Sequence, residues 1–287
     1  MVRYSRNIGL YAQMGLTMSG LALLYLVFLG LLSLYVPSAS ALALIALAFL
    51  TLQYFYSDKL ALKGANARVV DESEYPQLHS MVTRLSVQSD LPKPTVAVSS
   101  AKMTNAFAAG RNQQNSVVCV TEELLRQLNE EELEGVLAHE LAHIKNRDVA
   151  VMTIASFFST IAFFIARYGI YGNTRDGRVF IAIILSFVVW IVSTLLLRAL
   201  SRYREYSADR GAASITGNPL ALASALKTIS GVNDSRPSED MRKHAGMNAF
   251  YISPINAGLF ASLLSTHPQT EKRINELEDL AAEQYTS

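Results

Sequence analysis

Apolar residues run along this chain in blocks, and charge is confined between them. From Asn7 to Ser57 there is no Asp, Glu, Lys or Arg, and the same holds from Val149 to Ala166 and from Val179 to Leu197. A bilayer core needs about 20 apolar residues per helix. The first block is long enough for two spans, near 12–35 and 40–56, with Val36-Pro37-Ser38-Ala39-Ser40 as the turn between them. The later blocks predict spans near 149–168 and 179–198. A signal peptide is the rival for the first block, but the apolar stretch is too long and a second span follows at once. Buried core helices are the rival for the third span, which carries Thr153, Ser156, Ser159 and Thr160. The charges that bound it sharply favour a span.

The polar remainder falls into two pieces. The pattern divides the chain into an N-terminal transmembrane hairpin (1–57), a polar segment (58–148), a second hairpin (149–198) and a polar C-terminal part (199–287). Tyr75 to Val87 reads as a helix, and Thr95–Ser99, Asn105–Gly110 and Ser116–Val120 as short β-prone runs between turn residues. These runs predict a small antiparallel sheet. Thr121 and Asn129 are placed to cap helices whose first turns carry Glu122, Glu123, Glu130 and Glu131, where the helix dipole favours acids. From Asn129 the pattern is helical through Asp148 and runs without a breaker into the third span. Gly217-Asn218-Pro219 separates the helix after span four from another at about 219–230, and a last helix begins after Pro268. The fold class is thus an α+β membrane protein, mainly helical, with four transmembrane helices and a small sheet.

Composition agrees with that division. Hydrophobic residues make up 51% and charged residues 17%, against about 25% charge in an ordinary soluble domain. The 25 Lys+Arg and 24 Asp+Glu give a net charge of +1, so nucleic-acid binding has no electrostatic basis. A single cysteine, Cys119, excludes an internal disulfide framework and any multi-cysteine metal site, and reads as a small buried hydrophobe. Basic residues mark the orientation. Arg3 and Arg6, then Lys59, Lys63 and Arg68, then Lys145 and Arg147, then Arg198, Arg202 and Arg204 all fall on one side of a four-span chain. The positive-inside rule makes that side cytoplasmic in an inner or plasma membrane, although Arg167, Arg175 and Arg178 in the second hairpin loop dissent.

The chemistry sits at His139-Glu140-Leu141-Ala142-His143. Residues i and i+4 share a helix face, so both imidazoles can bind one metal ion, and Zn²⁺ is the ion most often held this way. Glu140 sits beside that ion, able to take a proton from metal-bound water. Two histidines on a solvated face would be the bland alternative, but Val136, Leu137, Ala138, Leu141, Ala142 and Ile144 make this a largely buried helix. Buried histidines need partners, and a metal provides one. A catalytic zinc still lacks its third protein ligand. The other histidines and nearby acids are candidates. Among them Glu205 and Asp209, i and i+4 in Arg204-Glu205-Tyr206-Ser207-Ala208-Asp209-Arg210, share a face. Glu205 can bind the ion while Asp209 accepts a hydrogen bond from a ligand histidine. The competing reading pairs both acids with Arg202, Arg204 or Arg210 on an exposed helix. His79 and His244 read as ordinary surface residues.

HELAHIKNRD together with REYSADR resembles the HtpX family of membrane-integrated zinc metalloproteases, in a wider group that includes the CAAX prenyl protease. The resemblance covers nearly the whole chain. It implies a gluzincin-type catalytic domain facing the cytoplasm, zinc held by His139, His143 and Glu205, Glu140 as general base, and membrane or misfolded proteins as substrates in membrane protein quality control. Asn105-Ala106-Phe107-Ala108 resembles the family's substrate-binding edge strand, which would take substrate backbone by β-addition. Ser265-Thr266-His267-Pro268 and Arg273-Ile274 resemble its C-terminal element, which makes His267 and Arg273 the candidates for stabilising an oxyanion. No GxxxxGK[ST] sequence occurs, so no ATP site of the P-loop kind is expected. A CAAX-type protease is the enzymatic rival, for which four spans are few. A non-catalytic scaffold with a structural metal is the other, and it would be expected to supply a fourth protein ligand and to have no need of Glu140.

Overall fold

The computed structural model describes residues 7–35, 39–168, 177–234 and 268–286. Its helices are α1 (Ile8–Tyr35), α2 (Ala39–Gly64), α3 (Pro76–Ser89), α4 (Glu122–Gln127), α5 (Glu130–Lys145), α6 (Asp148–Tyr168), α7 (Gly177–Thr216), α8 (Pro219–Asp234) and α9 (Thr270–Thr286). Its strands are β1 (Ala67–Val69), β2 (Thr95–Ser99), β3 (Ala106–Asn112) and β4 (Asn115–Thr121). The chain forms two compact units, one from residues 7–55 and 150–203, the other from 56–149 and 204 onward.

The first unit is apolar inside and out. Leu21, Tyr25, Phe28 and Leu32 of α1 pack with Ala155, Ile161 and Ala162 of α6 and with Ala182, Val189 and Leu200 of α7. Two polar ties join these helices: Tyr25 donates to the Ala155 carbonyl at 2.8 Å, and Ser193 donates to Ser159 at 2.8 Å. The outward faces carry Leu16, Leu26, Ile154, Phe180, Ile184 and Phe187, all exposed. A helix apolar all round belongs in a core or a membrane, and among the described residues these outer faces stay exposed. Among the described residues three helices are long and apolar enough to cross a bilayer: Ile8–Ser33, Asp148–Arg167 and Gly177–Thr216. The expected second span, 40–56, lies within α2.

The second unit is an α+β body whose sheet runs β1-β2-β4-β3. The antiparallel sheet expected from the sequence is corrected to a mixed one. β1–β2 and β3–β4 are antiparallel, but β2 and β4 run parallel, with Thr95 opposite Val117 and Ser99 opposite Thr121. The reason is the path between them. After β2 the chain passes to the far edge, forms β3 there, and returns through a hairpin into the central position. That detour supplies the crossover of a dozen or so residues that a parallel neighbour needs. Gly110 makes the hairpin possible: its φ is +132°, and a Cβ there would lie 2.2 Å from the Asn115 carbonyl oxygen.

Strand alternation divides the sheet's two faces. Val96, Val98, Ala106, Val118 and Val120 join the main core with α3, α5, α8 and α9. Ala97, Phe107, Ala109, Val117 and Cys119 pack against Ala61 and Ala65 at the end of α2. Cys119 is fully buried there, and burial pushes its thiol up to about 12. His79 is corrected from surface to interior: it is 8% exposed, and its Nε2 lies 3.0 Å from the Val70 carbonyl oxygen, for which it is the donor.

Local chemistry sets where the site helix starts. Thr121 accepts from the Leu124 amide at 3.1 Å and caps α4. Asn129 accepts from the Glu132 amide at 2.9 Å while Glu132 Oε2 accepts from the Asn129 amide at 3.1 Å, a reciprocal capping box that opens α5. Glu132 also accepts from Ser224 at 2.5 Å, which ties α5 to α8. The end of α5 differs from expectation. The helix does not run on into the third span but stops at Asn146, and Arg147 has φ +56° before α6 begins at Asp148. On an unbroken helix Asp148 would stand about 140° round the axis from His143. The break lets its carboxylate reach that imidazole.

Candidate metal centre

Helix α5 sets His139 and His143 one turn apart on the same face, with Nε2 atoms 3.1 Å from each other. Helix α7 brings Glu205 against them. Its oxygens lie 3.5 Å from His139 Nε2 and 3.6 Å from His143 Nε2. The three residues form a cluster of metal-ligating groups, the one found among the described residues. Tetrahedral coordination at about 2.0–2.1 Å per bond places donor atoms about 3.3–3.4 Å apart, which this triangle matches.

The tautomers give a second test of fit. His139 Nδ1 lies 2.9 Å from Asp209 Oδ1, and His143 Nδ1 lies 2.5 Å from Asp148 Oδ2. A carboxylate only accepts, so each ring carries its proton on Nδ1 and turns an Nε2 lone pair toward the other. Two facing lone pairs beside a carboxylate call for a positive charge between them. In the metal-free protein burial works against charge on His139, yet the hydrogen bonds to Asp209 and Glu205 raise its pKa to about 9, so a proton takes the place on Nε2 that a metal would fill. For His143, burial is likewise outweighed by Asp148, and its pKa is also raised. The pocket favours a cation, and its donor set of two imidazoles and one carboxylate suits zinc.

The approach of α7 to α5 depends on small residues. A Cβ on Gly211 would lie 2.7 Å from the Cβ of Ala142, inside contact distance and against an atom fixed to the backbone. Ala208 and Ala212 flank it, both buried. Gly211→Ala is expected to push the helices apart, costing about 1–3 kcal/mol of stability and weakening metal retention. Melting temperature and metal content on one preparation check both effects.

Arg273 enters from α9. It is 1% exposed, and its Nε and Nη2 donate to the two oxygens of Asp209 at 2.8 and 2.6 Å. Its Nη1 lies 3.2 Å from Glu205 Oε2. Burial opposes the charge, but Asp209 and Glu205 outweigh it and hold the guanidinium's pKa above its ordinary value. Glu140 is 4% exposed on α5.

The structure therefore brings together His139, His143, Glu205, Asp209 and Arg273. His267 lies outside the described residues. Asn105, Ala106, Phe107 and Ala108 lie at and just before the start of β3, the last strand in the sheet order, which packs against α5. Ala106, Phe107 and Ala108 pair with Val120, Cys119 and Val118. Asn105 is buried, and its carbonyl accepts from the Thr121 amide at 3.0 Å. Sequence reasoning passed over Asp148 and Arg204, which form an ion pair beside His143. An acid and an arginine bordering long apolar segments were the available signal.

Comparison with known proteins agrees with this geometry. The sequence pattern of peptidase family M48 matches residues 72–281. The chain is 53% identical to Protease HtpX homolog 2 of Methanosarcina mazei, over 98% of each protein. It is 46% identical to the Protease HtpX homolog of Moorella thermoacetica, over 96% of this chain and 95% of that one. In fold it is similar to the crystal structure of S. mikatae Ste24p, with a TM-score of 0.53 at 16% identity, over 94% of this chain and 66% of that chain. A match across most of the chain, with relatives near half identity along its full length, means that the protein belongs to peptidase family M48, among the HtpX proteases.

Proposed function

We propose that the protein is a zinc endopeptidase that cleaves unfolded or damaged membrane proteins, with His139, His143 and Glu205 as ligands. The observation that carries this is the triangle of two Nε2 atoms and a carboxylate, with each Nδ1 already committed to an acid. When bound, zinc lowers the pKa of water toward neutrality and polarises a carbonyl. Glu140 accepts the proton of the attacking water and returns it to the leaving amine nitrogen. Asp209 accepts from His139 Nδ1 and keeps the opposite nitrogen aimed at the metal. Arg273 holds Asp209 and Glu205 in place from behind. Asn105–Ala108 is read as the segment that takes substrate backbone because β3 packs on the helix that bears the ligands.

A scaffold with a structural metal fits less well. A closed zinc site uses four protein ligands, and three ligating residues gather here among the described residues. Cleavage of an unfolded protein in detergent tests the reading. The chelated enzyme should be inactive and stoichiometric zinc should restore it; activity that survives complete metal removal would refute the proposal.

The membrane placement has its own support. Among the described residues three helices are long and apolar enough to span, and α2, with exposed Leu44, Leu47 and Leu52, is taken as the fourth. With four spans, the basic segments support a catalytic unit facing the cytoplasm, at an inner or plasma membrane. A cysteine at Thr174 should then be labelled from the opposite side to one at Lys102. Labelling from the same side would break the four-span topology.

A further inference from the structure

We propose that Asp148 and Arg204 are a positioning pair for His143, an inference that deepens the metal-site reading and rests on it. The site has a repeated construction. His139 gives its Nδ1 proton to Asp209, and Asp209 is gripped by Arg273. His143 gives its Nδ1 proton to Asp148, and the other oxygen of Asp148 is ion-paired with Arg204. Each ligand imidazole thus has its own carboxylate, and each carboxylate its own arginine. In both sets the acid and the arginine are buried: Asp148 is 8% and Arg204 4% exposed, Asp209 2% and Arg273 1%.

The two sets serve rings with different needs. His139 is enclosed, its side chain 1% exposed, so packing restricts it as well as the bond to Asp209. The side chain of His143 is 18% exposed, so the bond to Asp148 must do more to fix its plane. A buried carboxylate facing only a neutral ring would be poorly compensated. Arg204 balances its charge and sets its orientation. The backbone is arranged for this contact: α5 ends, Arg147 takes φ +56°, and Asp148 turns back as the first residue of α6. Arg204 immediately precedes Glu205 on α7. The segment that supplies the third ligand therefore also braces the second, and drawing Arg204 away from Asp148 would disturb both at once. Arg204 touches neither metal nor substrate in this reading; it acts through Asp148.

The test is zinc affinity of the purified full-length protein in detergent, read by competition with a chromogenic chelator, alongside melting of each metal-free variant. Asp148→Asn should bind zinc about 10–100-fold more weakly. Arg204→Met should also weaken binding. The double variant should be no weaker than Asp148→Asn alone, because both act through one carboxylate. Arg204→Lys should recover part of the loss by restoring the charge. Asp148→Glu keeps the charge pair but moves the carboxylate, so it should fold and still bind more weakly, which guards against a simple folding failure of the other variants. Wild-type affinity in Asp148→Glu and Asp148→Asn, or losses that add fully in the double variant, would overturn the pairing. Absence of zinc binding by the wild type would instead overturn the metal-site reading itself.

Discussion

Glu140→Gln is expected to keep its zinc and its fold while losing turnover by about 10²–10⁴-fold, the range that a positioned general base supplies. The amide is nearly the same size as the carboxylate, so the packing of α5 around this buried position changes little. It cannot accept a proton. The ligands are on other residues: the Nε2 atoms of His139 and His143 and the carboxylate of Glu205 make the triangle without Glu140. Metal content and melting temperature should therefore match wild type while kcat falls. Glu205→Gln gives the contrasting pattern, in which zinc is lost first and activity with it. Turnover of Glu140→Gln within a factor of a few of wild type would remove this residue from proton transfer. Loss of zinc in the same variant would make it a ligand and overturn the assignment of roles.

What could be read in the residues alone follows from which interactions are local. The pairing of His139 with His143 was legible because a helix places i and i+4 together whatever surrounds it. The same rule pairs Glu205 with Asp209. Thr121 and Asn129 were legible as caps because a cap is made with residues two or three positions on. Three of the four described strands were found, but their directions were not. Alternation has period two in either sense, and only the passage of β3 to the sheet edge makes β2 and β4 parallel. β1, three residues long, has too little alternation to detect. The break after Asn146 carries no glycine or proline; it brings Asp148 back to His143, five positions earlier. Arg204 with Asp148 and Arg273 with Asp209 are separated by 56 and 64 positions, and no periodicity reports such pairs. Gly211 is of the same kind, since its importance lies in Ala142 across the helix contact.

Arg273→Met should cost about 3–5 kcal/mol of stability in the metal-free protein, the penalty for removing one partner of a buried ion network. The side chain is 1% exposed and holds Asp209 by two hydrogen bonds, with Glu205 at 3.2 Å. Without it Asp209 and Glu205 lose a buried cationic partner that no ion replaces in the metal-free protein. Zinc binding should then recover part of the lost stability, because the ion supplies the missing charge. Arg273→Lys should fall between, since an ammonium keeps the charge but cannot grip both oxygens of Asp209 and still reach Glu205. The resemblance of Arg273-Ile274 to the family's C-terminal element made Arg273 a candidate oxyanion donor, and that role predicts something different: unchanged zinc affinity and melting temperature, with the loss confined to kcat. A guanidinium already committed to two carboxylates, buried behind the ligands, is placed to hold them in position. Measuring kcat, zinc affinity and melting on the same Arg273→Lys preparation separates the roles. If only kcat falls, Arg273 acts on the reacting carbonyl. If zinc affinity and melting fall together, it positions the ligands, and His267 is left as the side chain to test at the oxyanion, where His267→Ala should keep zinc and lower kcat.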